Sequence, residues 1–173
     1  MDLRYPTGKY EALPISEEER KNRLTKLTLL PSDIELAVSN LDAHQLATPY
    51  RENGWTIQQV VHHLADSHMN ALVRFKNALT ETDSIIKPYN EGQWALLPDV
   101  NEVPINISIT LLHALHIRLV AVLRGVQGQT WHTRVVHPEH KEPWTLWYLF
   151  GLYAWHGHHH VAHITQLRKR MNW

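Results

Sequence analysis

Five histidines fall within residues 156–163, as His156-Gly157-His158-His159-His160 followed by His163. The flanking sequence reads as one long C-terminal helix, and on a helix residues four apart share a face. His156 and His160 can therefore turn two imidazoles toward one metal ion, and so can His159 and His163. The whole chain carries 14 histidines and no cysteine. A metal site in it must be built from imidazole and oxygen ligands. That donor set suits zinc, nickel, iron or copper, and any thiol chemistry would need a thiol from outside.

Two ligands on one helix do not make an open catalytic site, which takes three protein ligands and a water. The third has to come from another helix. His62 and His63 are available on a second helical segment. As neighbours they diverge by about 100°, so only one can face the last helix. The apolar set Val60, Leu64 and Phe75 leaves both near the edge of the buried stripe. Spacing alone leaves open which of these two turns inward, and which of the pairs His156/His160 and His159/His163 binds. His113 and His116 read as hydrogen-bonding residues at the core edge, with His116 placed to support a ligand from behind. His44, His132, His137, His140 and His158 read as surface residues.

The elements that would position these groups are four. Residues 1–14, with Pro6, Gly8 and Pro14, read as an irregular arm. Ser16-Glu17-Glu18-Glu19 has the form of a capping box and opens a helix carrying Leu24, Leu27, Leu30, Ile34 and Val38. Pro31 inside that run implies a kink or a restart. Thr56-Ile57-Gln58-Gln59 is a second capping box, opening a helix over about 57–79 with Val60, Leu64, Met69, Leu72 and Phe75 as its apolar positions. Residues 80–107 hold Pro88, Gly92, Pro98 and Pro104 and form a long connection with a short helix near Trp94; such connections often carry function. A third helix spans about 108–123 and stops at Gly125. Residues 130–143 suggest a small hairpin. Thr145 caps the last helix, which runs to about Arg170. The expectation is a mostly α four-helix bundle in a single domain, with long crossover connections and a metal site between facing helices.

Composition narrows the function classes. Lys+Arg and Asp+Glu are 17 each, a balance that favours neither nucleic acid nor an anionic membrane. The N-terminus lacks the apolar core of a signal peptide. The stretch from Leu111 to Leu123 is interrupted by His113, His116 and Arg118, too short and polar to span a bilayer. A cytoplasmic location is the expectation.

Three phrases carry a family resemblance: Trp55-Thr56-Ile57-Gln58-Gln59-Val60-Val61-His62-His63-Leu64-Ala65-Asp66-Ser67-His68-Met69-Asn70, Ile86-Lys87-Pro88-Tyr89-Asn90-Glu91, and Trp155 through Ile164. Together they resemble the DinB/YfiT-like superfamily, and within it the YfiT group of metal-dependent hydrolases, over nearly the whole chain. The resemblance implies a four-helix bundle, a homodimer, and a metal triad of one histidine before Leu-Ala-Asp with an H-x-x-x-H pair on the last helix. In this sequence those are His63, His156 and His160. His62, His116, His159 and His163 then become candidates for supporting these ligands.

Three neutral imidazoles leave the full charge on the metal, which activates a bound water at neutral pH. The expected cofactor is one zinc per chain, or nickel or another divalent ion. The expected function is metal-dependent hydrolysis of a small-molecule substrate. Two alternatives share the site. One is a bacillithiol-type thiol S-transferase holding a low-molecular-weight thiol as thiolate; the other is a non-catalytic metal-binding protein of stress responses. Asp66, Glu91 and Asp99 are the carboxylates considered for a general base, with Asp66 three residues beyond His63. Arg74 and Arg118 are the cations considered for a substrate carboxylate.

Overall fold

The computed structural model describes residues 2–173. Four long helices dominate: α1 (Glu17–Val38), α3 (Ile57–Thr80), α6 (Ile105–Arg124) and α7 (Leu146–Met171). Three short ones sit between them, α2 (Ala43–Leu46), α4 (Glu91–Trp94) and α5 (Asp99–Glu102). Each long helix packs against two others, in the ring order α1, α6, α3, α7.

Side-chain contacts fix the directions. Arg20 of α1 donates to the Arg124 carbonyl at the end of α6, so these two run antiparallel. On α1 and α7, Arg23 reaches the Trp147 carbonyl while Arg168 reaches that of Ala37, so they run parallel. His62 meets Ser108 and His68 meets His116, so α3 and α6 are parallel as well. A parallel neighbour cannot be reached by a tight turn. Residues 81–104 make that return journey outside the bundle, and are tied to α3 by Gln59 donating to the Ala95 carbonyl at 2.8 Å.

The helix starts follow local chemistry. Thr56 and Gln59 complete a reciprocal capping box on α3. On α1 only half of the expected box forms: Ser16 accepts from the Glu19 N–H. The Glu19 carboxylate turns instead to Arg23, 2.8 Å away. Arg23 is 2% exposed and is drawn inward by the Trp147 ring, 3.8 Å below its guanidinium. Pro31 neither breaks nor restarts α1, which is continuous through it. Met69, expected in the core, is exposed. The third helix starts earlier than expected, at Ile105, with Pro104 in extended backbone at the N-cap, where its missing N–H removes no bond from the helix.

The small hairpin exists as β2 (Arg134–Val136) against β3 (Trp144–Thr145). The crossover adds a strand that sequence did not suggest, β1 (Ser84–Ile85), parallel to β2. Among the described residues, α6 is the one helix long and apolar enough to cross a bilayer by length and composition, with mean hydropathy 1.6. The interruptions at His113, His116 and Arg118 are therefore too few to exclude it on those measures. In the bundle its Leu112, Leu119 and Leu123 are fully buried.

The arm at residues 2–16 has no helix or strand and lies along α7. Its main chain accepts hydrogen bonds there: Leu13 from Trp147 Nε1 at 2.7 Å and Gly8 from Trp155 Nε1 at 3.2 Å.

Candidate metal centre

His63 of α3 and His156 and His160 of α7 converge across the antiparallel α3–α7 interface. Nε2 of His156 lies 3.2 Å from Nε2 of His63 and 3.2 Å from Nε2 of His160. Gly157 sets how closely α7 can approach α1 beside this cluster. A Cβ there would run into the Leu30 side chain, which would have to give way within a packed interior.

Burial governs the electrostatics. It holds His63 down to about 4. His156 and His160 are pushed well below the ordinary histidine range, first by burial and then by the surrounding imidazoles. All three are therefore neutral at pH 7, the state in which imidazole offers a lone pair to a metal. Three mutually facing ring nitrogens at these distances fit a shared cation better than they fit one another, since a neutral ring has only one N–H to give. The donor set, the burial and the convergence fit a divalent ion.

The cluster opens on a pocket of about 950 Å³. Its walls come from α3 (Ser67, Arg74), from α7 (Leu152, Tyr153) and from the crossover (Pro88, Tyr89, Asn90, Glu91). Trp55 covers His63, with ring centroids 4.6 Å apart. Arg74 donates to the Tyr153 hydroxyl at 2.6 Å and to the Lys87 carbonyl at 3.2 Å. Burial raises the Tyr153 hydroxyl even though Arg74 opposes it, and pushes Tyr89 up to about 12. Both phenols stay protonated.

Of the considered carboxylates, Glu91 lines this pocket, whereas Asp66 and Asp99 are not among its lining residues. Asp66 lies four residues beyond His62 and shares its face, which looks toward α5. Burial there and the Asp99 charge raise Asp66 to about 6. Of the two arginines, Arg74 is in the pocket and Arg118 is exposed on α6.

The supporting candidates separate. His62 turns away from the triad, its Nδ1 2.8 Å from the Ser108 hydroxyl. His159 stacks on Trp155 at 4.6 Å. His163 contacts His160, Nδ1 to Nδ1, at 3.3 Å. His116 is buried against the Leu27 carbonyl, at 2.5 Å from Nδ1, and against His68, at 3.0 Å from Nε2. His113 instead faces Glu35 near the surface. His137 is a correction to the surface reading: it is half-buried and lines the pocket, because Trp144 packs 4.7 Å from its ring. His44, His132, His140 and His158 are exposed.

Sequence reasoning missed His68, which is completely buried. The available signal was its spacing, four residues after Leu64 and four before Leu72, on the apolar stripe of α3.

The DinB superfamily model matches residues 26–164. This chain belongs to the DinB superfamily. A Bacillus cereus (strain 03BB102) protein named "Putative metal-dependent hydrolase" is 48% identical over 173 residues, covering 99% of each chain. A Bacillus anthracis (strain CDC 684 / NRRL 3495) protein of the same name is 47% identical over 173 residues, again covering 99% of each. Among solved structures, the chain is similar to YfiT from Bacillus subtilis, with TM-score 0.96 and 45% identity, covering 100% of this chain and 99% of that one. YfiT is described as "a probable metal-dependent hydrolase with an unusual four-helix bundle topology". The relatives' names and the histidine cluster both indicate metal dependence for this family fold.

Proposed function

We propose that His63, His156 and His160 hold one divalent metal ion, zinc in the first instance, and that the protein is a metal-dependent hydrolase. The observation that carries the proposal is the convergence of three neutral imidazole Nε2 atoms, from buried His63 and His160 and half-buried His156, at one wall of a pocket of about 950 Å³. A divalent ion held by three neutral ligands supplies Lewis acidity and lowers the pKa of water.

The chain's own residues supply the rest. Glu91, exposed in the pocket wall, accepts a proton from the attacking water. Arg74, with no carboxylate within ion-pair distance among the described residues, binds an anionic group of the substrate. Tyr153 orients that guanidinium. Trp55 shields His63 from bulk water. Family resemblance also implies a homodimer, which the proposal includes and which light scattering tests.

The test is metal content and turnover together. Zinc-loaded protein is expected to cleave members of an ester and amide panel, and His156→Ala to lose both zinc and cleavage. Equal zinc content in wild type, His156→Ala and His160→Ala overturns the site. Cobalt-substituted protein titrated with low-molecular-weight thiols provides the competing outcome. A saturable shift to sulfur ligation, without cleavage of any ester or amide, overturns hydrolysis in favour of thiol transfer.

A further inference from the structure

Two buried nitrogens beside the centre have no hydrogen-bond partner in the structure: Nδ1 of His156 and Nε2 of His68. Their rings are neighbours, with centroids 5.7 Å apart and planes inclined by 34°. An unpartnered buried polar atom is costly, and two together suit a donor facing an acceptor.

The sense of that pairing can be read from the far end. Pro31 has no N–H, so the Leu27 carbonyl lacks the donor a helix interior normally provides. His116 Nδ1 fills the place, 2.5 Å away. A carbonyl only accepts, so His116 carries its proton on Nδ1. His116 is neutral, held down to about 4 by burial. Its Nε2 is then an acceptor, and His68 Nδ1, 3.0 Å away, must be the donor. His68 is therefore left with a bare Nε2 beside the His156 ring, with no hydrogen bond between the two in the structure, an acceptor available to His156 Nδ1 once a metal fixes that ring.

The second ligand of α7 repeats the logic with different parts. His163 Nε2 lies 3.3 Å from the Arg4 carbonyl of the arm and must donate to it. Its Nδ1 is then an acceptor, 3.3 Å from His160 Nδ1. Tyr50 stacks on the His163 ring at 3.8 Å and fixes its plane.

We propose that His68, His116 and His163 are positioning residues that fix both α7 histidines with the proton on Nδ1 and the lone pair of Nε2 aimed at the centre. They do so through two imidazole relays that end on the carbonyls of Leu27 and Arg4. The proposal rests on the reading of His156 and His160 as ligands. A ligating imidazole gains basicity and a fixed tautomer from an acceptor behind it. Here the acceptors are imidazoles where a carboxylate is more usual, so no negative charge enters the interior. The relay also accounts for a second group of close ring nitrogens, His159, His160 and His163. His160 cannot give Nδ1 to a second ion while Nδ1 carries the proton.

The experiment is imidazole nitrogen NMR on 15N-histidine-labelled protein, metal-free and zinc-loaded, with zinc affinity measured alongside. His116 and His68 are expected as Nδ1–H tautomers and His163 as Nε2–H already without metal, with His156 and His160 joining as Nδ1–H on loading. A proton on Nε2 of His68, or on Nδ1 of His163, overturns the corresponding relay. His68→Leu and His163→Phe are expected to weaken zinc binding by about 10–100-fold, and His68→Gln, which keeps a donor and an acceptor, to recover part of the loss. Unchanged affinity in the folded Leu variant overturns the role. Pro31→Ala returns a helix donor to the Leu27 carbonyl. It is expected to raise the melting temperature while shifting the His116 resonances and weakening zinc binding, a divergence that plain packing does not produce. Two zinc ions per chain, falling to one in His159→Ala, overturns the His163 relay. Zinc retained in His63→Ala, His156→Ala and His160→Ala refutes the ligand assignment, while the metal-free tautomers still report on the relays.

Discussion

The two halves of α7 are buried in opposite ways. From Leu146 to Ala154 the helix puts Leu146, Leu149 and Phe150 into a dry cluster with Phe75, Leu119 and Trp131. Phe150 stacks on Trp131 at 5.1 Å, and apart from Arg23, paired with Glu19 and the Trp147 carbonyl, burial there is satisfied by apolar contact. From His156 to His163 the same helix buries imidazoles, and each ring nitrogen has to find a donor, an acceptor or an ion. An apolar half tolerates many sequences of about the right volume. The histidine half depends on matching partners contributed by α3, α6 and the arm.

Breaking each half separately sharpens this contrast. The largest effect is expected for the ligands: His160→Ala abolishes stoichiometric metal binding, whereas exposed His158→Ala leaves it intact, as read by metal analysis of the purified variants. Next is Phe150→Ala, expected to cost about 3–5 kcal/mol of stability in denaturant unfolding while metal content per folded chain stays the same. A smaller loss, about 1–3 kcal/mol by the same measurement, is expected for Gly157→Ala, which presses on Leu30 where the two halves meet. A stability loss in Phe150→Ala accompanied by metal loss would show that the halves are one cooperative unit.

The mildest perturbation is pH, and it acts mainly through buried imidazoles, with the raised carboxyl of Asp66 opposing them in part. Burial depresses His116, His159 and His163 to about 4, below the ordinary value of 6.5. Between those values the unfolded chain binds more protons than the folded one, so stability rises with pH in that window and levels off above it. Metal-free protein is expected to lose stability progressively from about pH 6.5 down to about pH 4. A melting temperature that stays flat over that range would contradict the buried, neutral state of these rings.

The same contrast explains what could be read from the sequence. The four helices, the Thr56 cap and the dry cluster follow from apolar spacing and turn residues, which report directly on burial. Histidine has no such signature. At helical spacing a buried imidazole and a solvated one look alike, so spacing distinguishes neither half-buried His137 nor fully buried His68 from a surface residue. His62 and His63 could be separated only by resemblance to a family motif, because both flank the apolar stripe; it is their partners, Ser108 on α6 and the α7 pair, that differ. Asp66 shows the same limit. Three residues beyond His63 puts it on an adjoining face, and spacing alone does not direct its side chain; in the structure it feels the charge of Asp99 and acts in turn on Tyr89 of the pocket wall.

The arm at residues 2–16 serves α7 through its backbone: the carbonyls of Arg4, Gly8 and Leu13 receive His163, Trp155 and Trp147. Every residue type carries that carbonyl. The arm is therefore free to drift in sequence at Arg4 and Leu13, though not at Gly8, whose φ of +79° favours glycine, and it is not free in length, because one inserted residue slides each acceptor out from under its donor. Comparisons that score residue identity will undervalue this segment, and alignment gaps will be the sensitive measure of its role.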